Sequence, residues 1–522
     1  MNSTEGQTVL GWTDKWYAHL AYVLVIVAAL LAIPSTIADD LWHVQGGVIG
    51  AFGVLAIWRY GWGLTHFFRA IFYRRFTFRR LRKQASEAFE AIASNPPHAY
   101  LLVTSYKIDG DTSASVYRAA FRAAMASPGK ATVVASVVEL SDQRLVTNIY
   151  RLICGDSSKV ALTVVRIKGT GKRDALAHGL RSIARAIPRD NDVVAVIDGD
   201  SIVPDDLVTR CAGFFAANPR VGALTTDEVS DVRGKAIFHL WYSLRFAQRN
   251  VLMASNGQSQ RVLTLTGRMS MYRASVACDP GFIDQIESDY IEHWRLGRIK
   301  FLTGDDKSTW FWLLRHGYLM LYIPDIVVAT VESPPSDNFV EAAAQLMTRW
   351  FGNMLRTNGR ALALGPHKVG LFTWWAIFDQ RISMWTSLAG LAMTIIVGLL
   401  VSPTAFLAYI VWILCTRYVQ TLMLLTSRKR VSILYVPLIY FNQIFGSIIK
   451  TYIFFRLNRQ RWTRQSTTLA RSGHALRAAL ADGSSVFMHG LALTLFVVAV
   501  AWFVGILPFP DYYALGQLLG RS

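Results

Sequence analysis

Two carboxylates stand one residue apart where an apolar stretch of the sequence ends. Asp198 and Asp200 follow the apolar run at residues 193–197 and are separated by one glycine. Five β-branched or small apolar residues predict a strand buried on both faces, and residues two apart on a strand point the same way. Two such hard oxygen donors favour a divalent cation, Mg²⁺ or Mn²⁺, that bridges to a diphosphate. An acidic loop after a core strand is the alternative.

A glycine-rich turn with two basic residues comes earlier in the chain. The stretch KGTGKRDAL contains Lys172 and Arg173 and is predicted to begin a helix. Glycines let the backbone approach a ligand, a helix N-terminus favours anions, and two cations add charge for a diphosphate. The glycine spacing differs from that of a P-loop. Solvated bases at an ordinary helix start would give the same pattern.

A second acidic pair opens a later helical pattern. Asp305 and Asp306 lie in the stretch TGDDKS, which also contains Lys307. Asp306 could act as a general base that takes the proton of an attacking sugar hydroxyl, with Asp305 or Lys307 tuning it or binding sugar. Adjacent carboxylates raise one another's pKa when they are held close, which suits a base. The pair could also simply cap the helix.

Two further stretches could contact a sugar acceptor. Trp350 follows Arg349 on a helical pattern. A tryptophan face packs well on a sugar ring, and the arginine can reach a phosphate or carboxylate. Gly267 and Arg268 follow the strand-like run VLTLTG and form a turn that could border the acceptor. An amphipathic interfacial helix and a plain turn are the respective alternatives.

These motifs need a scaffold, which the sequence predicts between residues 99 and 339. Apolar runs beginning near residues 99, 131, 161, 193 and 221 alternate there with helical stretches. Strands alternating with helices predict crossover units and a mostly parallel sheet, whose strands hold ligands at their carboxyl ends. We therefore predict an α/β catalytic domain at 99–339, followed by acceptor-binding and interfacial helices at 340–381.

The rest of the chain predicts membrane helices. The 522 residues are 52% hydrophobic, with a mean hydropathy of +0.29, which is too apolar for an ordinary soluble enzyme. We predict an N-terminal transmembrane hairpin at 1–65, a basic juxtamembrane linker at 66–98 and a C-terminal transmembrane channel region at 382–522. The expected spans are 17–33, 44–64, 382–401, 405–425 and 487–507, with an interfacial helix at 370–378. Residues 431–455 either cross or lie at the interface, so the count is five or six.

The net charge of +19 favours a membrane surface, an anionic substrate or nucleic acid. The basic stretches lie next to the expected spans, which favours the cytoplasmic face and anionic lipid and makes nucleic acid the least expected partner. The four cysteines are far apart and have no metal-binding spacing, which is typical of single thiols in a reduced compartment.

Taken in order, GTGKRDAL, DGD, TGR, TGDDKS and the Arg-Trp pair resemble the processive family 2 glycosyltransferases, which build a polysaccharide and pass it through their own membrane domain. Within that family, stretches such as RIKGTGKRDALAHG and LTGDDKSTWF are most similar to the mannuronan synthases, the bacterial alginate polymerases. The resemblance implies a cytoplasm-facing GT-A domain in a bacterial inner-membrane protein. It also implies an inverting transfer from GDP-mannuronic acid and export of a β-1,4-linked polymannuronate.

The resemblance also implies roles for individual residues. The diphosphate would contact Lys172 and Arg173, and the nucleotide and the Mg²⁺ or Mn²⁺ ion would contact Asp198 and Asp200. Asp306 would be the base, and Trp350 with Arg349 would hold the acceptor. Partners implied in the same way are a cyclic-di-GMP-binding co-polymerase and other alginate export proteins.

Two positions depart from the family's pattern, and one further motif of the family is found near the C-terminus. Glu139 and Asp142 stand near the place of the family's nucleotide-binding acid. Leu346 stands where the family has a glutamine four residues before the tryptophan, and Gln345 comes one place earlier. The motif Arg461-Trp462-Thr463-Arg464 resembles the family's cytoplasmic gating loop, expected at about 456–485.

A uronate product would be attracted by basic side chains along its path. The candidates are Arg245, Arg249, Arg268 and Arg349, and we expect charge reversal at Arg268 or Arg349 to lower synthesis without unfolding the protein. Other functions stay open: another synthase of the cellulose or hyaluronan kind, a non-processive lipid-linked glycosyltransferase, or a transporter with a nucleotide-sensing domain.

Overall fold

The structure is a computed structural model that describes residues 11–32, 46–460 and 475–507. These residues form two compact units, which we call the α/β unit and the helical unit. The α/β unit contains residues 66–379 and 457–460, and the helical unit contains the other described residues. The predicted gating motif at residues 461–464 lies outside the described residues.

The α/β unit is built on an eight-stranded sheet with the strand order β3-β2-β1-β4-β7-β6-β10-β5, accompanied by a two-stranded β8-β9 hairpin. The strands are β1 Ala99–Thr104, β2 Ala131–Val137, β3 Val160–Arg166, β4 Val193–Asp198, β5 Ser201–Ile202, β6 Val221–Val232, β7 Met269–Arg273, β8 Tyr290–His293, β9 Gly297–Lys300 and β10 Leu319–Glu332. Strands β1 to β4 pair in parallel, as do β6 and β10, whereas β7 and β5 run antiparallel to their neighbours. The predicted α/β fold is confirmed.

Helices make up the rest of the regular structure in both units. They are α1 Trp16–Leu31, α2 Gly46–Phe72, α3 Phe78–Ala91, α4 Gly110–Ala126, α5 Leu140–Cys154, α6 Lys172–Arg185, α7 Leu207–Ala217, α8 Ala236–Gly257, α9 Ala274–Ala277, α10 Pro280–Glu287, α11 Asp305–Arg315, α12 Phe339–Ala363, α13 Gly365–Val369, α14 Leu371–Leu400, α15 Thr404–Met423, α16 Tyr435–Phe454 and α17 Ala475–Phe503. A π-helical turn, Tyr73–Thr77, joins α2 to α3, and a 3-10 turn, Leu424–Thr426, follows α15.

The centre of the sheet explains the position of the Asp-x-Asp pair. The five apolar residues of β4 are all buried, because β1 and β7 pair with its two edges and other elements cover its faces. In the register of β1 and β4, Thr104 lies beside Asp198, so both strands end at the same level. Because these are carboxyl ends of parallel strands, they border the crevice where such sheets hold ligands.

One strand was predicted in the wrong place. The run VLTLTG at residues 262–267 is irregular apart from a single bridge between Arg261 and Met320 just before it, and the strand β7 begins only at Met269. The side chain of Thr266 accepts from the N–H of Met269 and donates to its carbonyl group, which turns the chain before β7. Local hydrogen bonds of this kind compete with the sheet ladder.

The basic stretch after residue 65 packs on the α/β unit in part. Arg82 pairs with Asp325 at 2.5 Å, Arg74 donates to Asn250, and Arg69 lies 3.6 Å from the ring centre of Phe372. Three other arginines, Arg75, Arg79 and Arg80, are exposed and stay available to a lipid surface. Part of the basic charge therefore serves packing, and the membrane role of the rest stays a prediction.

Three described helices are long and apolar enough to cross a membrane. They are Leu371–Leu400, Thr404–Thr426 and Ala479–Phe503, which correspond to three of the predicted spans. The separate interfacial helix predicted at 370–378 was wrong, because residues 371–378 form the first turns of the uninterrupted α14. Helix α1 is apolar and shorter, with 16 residues, and α16 fills the segment whose crossing the sequence left open.

Candidate active site

A cavity of about 570 Å³ opens at the carboxyl ends of β1 and β4. Most of the candidate site residues line it, although they come from separate stretches of the chain. The cavity-lining candidates are Lys172, Arg173, Asp198, Asp200, Gly267, Arg268, Asp305, Asp306, Arg349 and Trp350. Glu139, Asp142 and Lys307 were also candidates and do not line it.

Lys172 joins the two acidic motifs. Its Nζ lies 2.7 Å from Oδ1 of Asp198 and 3.0 Å from Oδ2 of Asp305. Burial alone would lower the pKa of this lysine, but the two carboxylates outweigh burial and raise it, so the ammonium stays charged. Gly267 packs directly against the pair, and a Cβ there would come within 2.9 Å of both polar side chains. The glycine at position 267 therefore lets the TGR turn lie this close to Lys172 and Asp198.

The Asp-x-Asp pair suits a divalent ion. Burial raises the pKa of Asp198 to about 6, Lys172 opposes the rise, and the charges of Asp200 and Asp305 add to it. Bringing a cation to these oxygens would relieve that repulsion. Among the described residues no three His, Cys, Asp or Glu side chains form a metal cluster. The two aspartates of the Asp-x-Asp pair are hard oxygen donors, and such donors fit a divalent ion such as Mg²⁺ or Mn²⁺.

The second acidic pair sits on a constrained turn at the start of α11. Gly304 has a left-handed φ of +83°, and a Cβ there would lie 2.8 Å from the side chain of Asn353. Burial raises the pKa of Asp306, as does the charge of Asp305. The pKa of Asp305 is lowered, because Lys172 and Arg173 outweigh its burial. Two neighbouring carboxylates thus differ in proton affinity, and the role of Asp306 as a base stays a prediction.

Two predicted site residues also have partners in the packing. The guanidinium of Arg173 is buried and donates to the carbonyl groups of Ile286 and Thr303, so it holds the turn before α11, and its contact with a diphosphate stays a prediction. The Nζ of Lys307 donates to the carbonyl group of Leu263 at 2.5 Å, and this lysine does not line the cavity, but its charge lowers the pKa of Asp306. Burial lowers the pKa of Lys307 to about 8.

Arg268 belongs to a charged network that continues beneath the cavity. Its guanidinium lies 2.5 Å from Glu332 and 3.4 Å from Glu228, which is 1% exposed, and Arg249 reaches Glu228 at 3.2 Å. Two of the arginines proposed for the product path are therefore already paired with carboxylates. This pairing leads us to expect that charge reversal at Arg268 also affects the fold, which the sequence alone did not suggest.

We expect Arg268→Glu to destabilise the α/β unit by about 3–5 kcal/mol, because it places a third carboxylate beside two others in a buried network. Arg268→Lys keeps a positive charge and should cost much less. Thermal unfolding of the two purified variants measures the difference. Equal unfolding temperatures for Arg268→Glu and the wild-type chain would contradict the network.

Trp350 is held with one face covered. The guanidinium of Arg245 lies 3.9 Å from its ring centre, and Trp241 packs 5.8 Å away. This arrangement fixes the ring at the cavity wall, where it can stack on a sugar. Leu346 also lines the cavity, whereas Gln345 donates to Glu341 at 3.2 Å. The wall is therefore apolar where the family has a glutamine, and Gln345 does not replace it.

The predicted nucleotide-binding acids lie outside the cavity wall. Glu139 is the exposed residue that precedes α5, and Asp142 is in its first turn. Burial raises the pKa of Asp142, with a further rise from the charge of Glu139. The neighbouring Val138 does line the cavity, so the two acids stand near its border. Their nucleotide contact stays a prediction.

The site also contains residues that the motifs did not reveal. Asn353 supports the turn before α11, and Glu332 neutralises Arg268 at the cavity wall. Asn353 is three positions after Trp350, so helical spacing alone would have placed both on one face of α12. Glu332 ends the 14-residue β10, and no local signal connects it with Arg268.

Comparison with known proteins gives the family of this site. Residues 96–353 match the family described as glycosyltransferase like family 2. The glycosyltransferase Alg8 of Pseudomonas syringae pv. tomato is 44% identical over 485 residues, which cover 93% of this chain and 97% of the relative. The glycosyltransferase Alg8 of Azotobacter vinelandii is 40% identical over 491 residues, which cover 94% and 98%. The chain belongs to the Alg8 family of glycosyltransferases.

Among solved structures, the chain is similar to a mannosyltransferase of Pyrobaculum calidifontis in complex with GDP-Man and Mn²⁺. The match has a TM-score of 0.41 and 16% identity, and it covers 74% of this chain and 98% of that one. Membership of the Alg8 family confirms the predicted family 2 enzyme and its resemblance to the alginate polymerases. The enzyme transfers sugar from a nucleotide-sugar donor, and the three long apolar helices among the described residues indicate membrane association.

Proposed function

We propose that this Alg8 glycosyltransferase polymerises GDP-mannuronic acid into β-1,4-linked polymannuronate. The observation that carries the proposal is the convergence of Asp198, Asp306 and Trp350 on one cavity, in a chain with Alg8 relatives along nearly its whole length. The acidic pair offers a place for the donor's diphosphate, the tryptophan a place for the acceptor sugar, and Asp306 a base between them.

The transfer would be a single inverting displacement. The hydroxyl of the acceptor sugar attacks the anomeric carbon of the donor while Asp306 takes the hydroxyl proton. The new glycosidic bond forms as the bond to the diphosphate breaks, and GDP leaves. Asp198 and Asp200 would hold Mg²⁺ or Mn²⁺, which neutralises charge on the leaving diphosphate. Lys172, already between Asp198 and Asp305, would add a second positive charge there.

We further propose that the α/β unit faces the cytoplasm of a bacterial inner membrane and that the product leaves through the membrane helices. Basic residues flank those helices, in agreement with a cytoplasmic position of the catalytic side. A cyclic-di-GMP-binding co-polymerase and other alginate export proteins are the proposed partners, on the family resemblance alone.

The substrate is tested by supplying one donor at a time. Membranes containing the chain receive GDP-mannuronate, GDP-mannose, UDP-glucose or UDP-glucuronate, each with and without Mg²⁺, and the product is sized on a gel. We expect a long polymer only from GDP-mannuronate with Mg²⁺. A single-sugar lipid product would favour a non-processive transferase, and polymer from a UDP-sugar would contradict the proposed donor.

The rate should also depend on pH in a particular way. Asp306 must be ionised to accept a proton, and its raised pKa means that activity is present above that pKa and lost as the pH falls through it. Burial raises the pKa of Asp198 to about 6, so protonation of this carboxylate should weaken metal binding in the same direction. Excess Mg²⁺ should restore the activity lost through protonation of Asp198 but not the activity lost through protonation of Asp306. Initial rates at low and high Mg²⁺ between about pH 5 and pH 8 measure both, and a flat profile would contradict the base.

A further inference from the structure

A short C-terminal segment of the α/β unit is bound beside the catalytic turn. We call the segment Leu457–Gln460 the strap. The Oε1 of Gln460 accepts from the N–H of Leu302 at 3.0 Å, and its Nε2 donates to the carbonyl group of Lys300 at 2.8 Å. One side chain therefore pairs with both backbone groups that flank Phe301, at the end of β9. Backbone groups of this kind require a partner when a protein encloses them.

The other end of the strap is fastened separately. The carbonyl group of Leu457 accepts from Nη1 of Arg356 at 3.1 Å, and the same guanidinium donates to Oδ1 of Asn353 at 2.6 Å. That oxygen also accepts from the hydroxyl of Thr303 at 2.8 Å. The chain of hydrogen bonds thus runs from the strap through α12 to the first residue of the TGDD turn.

The turn at residues 303–306 lies between these two attachments. Gln460 holds the backbone that enters the turn, and Asn353 holds Thr303 and packs against Gly304. The turn carries Asp306, whose carboxylate must lie within reach of the acceptor hydroxyl. A displacement of about 1 Å in such a group can cost about a hundred-fold in rate. The hydrogen bond to Leu302 therefore connects this turn with a side chain 158 positions later in the chain.

We propose that Gln460 is a positioning residue for the transfer reaction, acting through the TGDD turn on Asp306. The inference rests on the proposed function, in which Asp306 is the base. Gln460 does not line the cavity within the described part of the chain, so we assign it a role through the turn rather than through contact with the substrates. Its loss should lower kcat and leave the KM for the donor unchanged.

The test compares two substitutions at Gln460 with a control in the same strap. Gln460→Met keeps the size of the side chain and removes both hydrogen bonds, and kcat should fall about ten-fold. Gln460→Glu keeps the acceptor for Leu302 and loses the donor, and kcat should fall about three-fold. Asn458→Ala is the control, because Asn458 makes no side-chain hydrogen bond in the described structure. Rates are expressed per donor-binding site, counted by titration with GDP, so that loss of folded protein does not register.

A double substitution shows whether Gln460 acts through Asp306. In the background of Asp306→Glu, which keeps a displaced carboxylate, Gln460→Met should lower kcat by a smaller factor than in the wild-type chain. Any of three results would overturn the inference. They are an equal loss of kcat in both backgrounds, a kcat of Gln460→Met within about two-fold of wild type, and an effect of Gln460→Met on the KM for the donor alone. Asp306→Asn, assayed alongside, tests the proposed function by itself. Full activity of Asp306→Asn would contradict the proposed base, whereas normal activity of Gln460→Met would contradict only the positioning role of Gln460.

Discussion

Asp306→Asn is expected to lower kcat about a thousand-fold, with little change in the KM for the donor. Asparagine keeps the shape of the side chain and its contact with Thr264 but cannot accept the proton of the acceptor hydroxyl. General-base catalysis contributes about a hundred- to ten-thousand-fold. Release of GDP from the sugar nucleotide, followed continuously in membranes, measures the rate.

The control for this substitution is Asp190→Asn. Asp190 is an exposed aspartate of the same unit and lies outside the cavity wall. It should retain the wild-type rate. A rate of Asp306→Asn within about ten-fold of wild type would be too high for loss of a base, and another group would then have to take the proton.

Asp198→Asn is expected to lower kcat/KM about a hundred-fold and to raise the Mg²⁺ concentration needed for half-maximal activity. The substitution removes a charged metal ligand and leaves Lys172 with Asp305 alone. An ion at a reacting phosphate stabilises charge by several kcal/mol, and about 2.7 kcal/mol corresponds to a hundred-fold. Activity is measured against Mg²⁺ concentration, with the exposed Asp156 exchanged for asparagine as the control.

The metal dependence of the variant is the informative quantity. A protein merely weakened by the substitution would lose activity at every Mg²⁺ concentration by the same factor. If Asp198 holds the metal, the loss must shrink as Mg²⁺ rises. An unchanged half-maximal concentration in Asp198→Asn would place the metal elsewhere or show that the reaction proceeds without one.

The scaffold of the site was open to prediction from sequence because its signals are local. A buried apolar run followed by two aspartates favoured the rim of a parallel sheet, and the structure places Asp198 at the end of β4. The start of α11 at Asp305 was equally visible. Both depend on patterns spanning fewer than about twelve residues, over which side-chain periodicity specifies an element.

The contacts that the sequence did not reveal concern side chains whose partners are distant in the chain. Arg173 seemed free for a diphosphate, yet the structure surrounds its guanidinium with carbonyl groups more than a hundred positions away. Arg268 seemed free for a uronate, yet its guanidinium pairs with Glu228 of β6 and Glu332 of β10. Burial of a charge is decided by tertiary packing, which a single sequence does not reveal. The same is true of Gln460 and Leu302.

The pairing of these arginines with carboxylates matters for which groups of the substrate the enzyme recognises. With Arg249 and Arg268 already neutralised, the attraction expected for a polyuronate cannot rest on those two residues. Arg349 lines the cavity beside Trp350 and stays the candidate for a carboxylate contact. Lys300, which is exposed and also lines the cavity, is a second cation at the same site.

Processive transfer at this cavity is tested most directly by following two products of the purified chain in lipid vesicles supplied with GDP-mannuronate and Mg²⁺. Released GDP and polymer length are measured in the same sample over time. We expect one GDP for each mannuronate incorporated and long chains from the earliest time points, with both signals absent in Asp306→Asn. Release of GDP without polymer, or polymer that forms equally in Asp306→Asn, would contradict a processive transferase that uses this cavity.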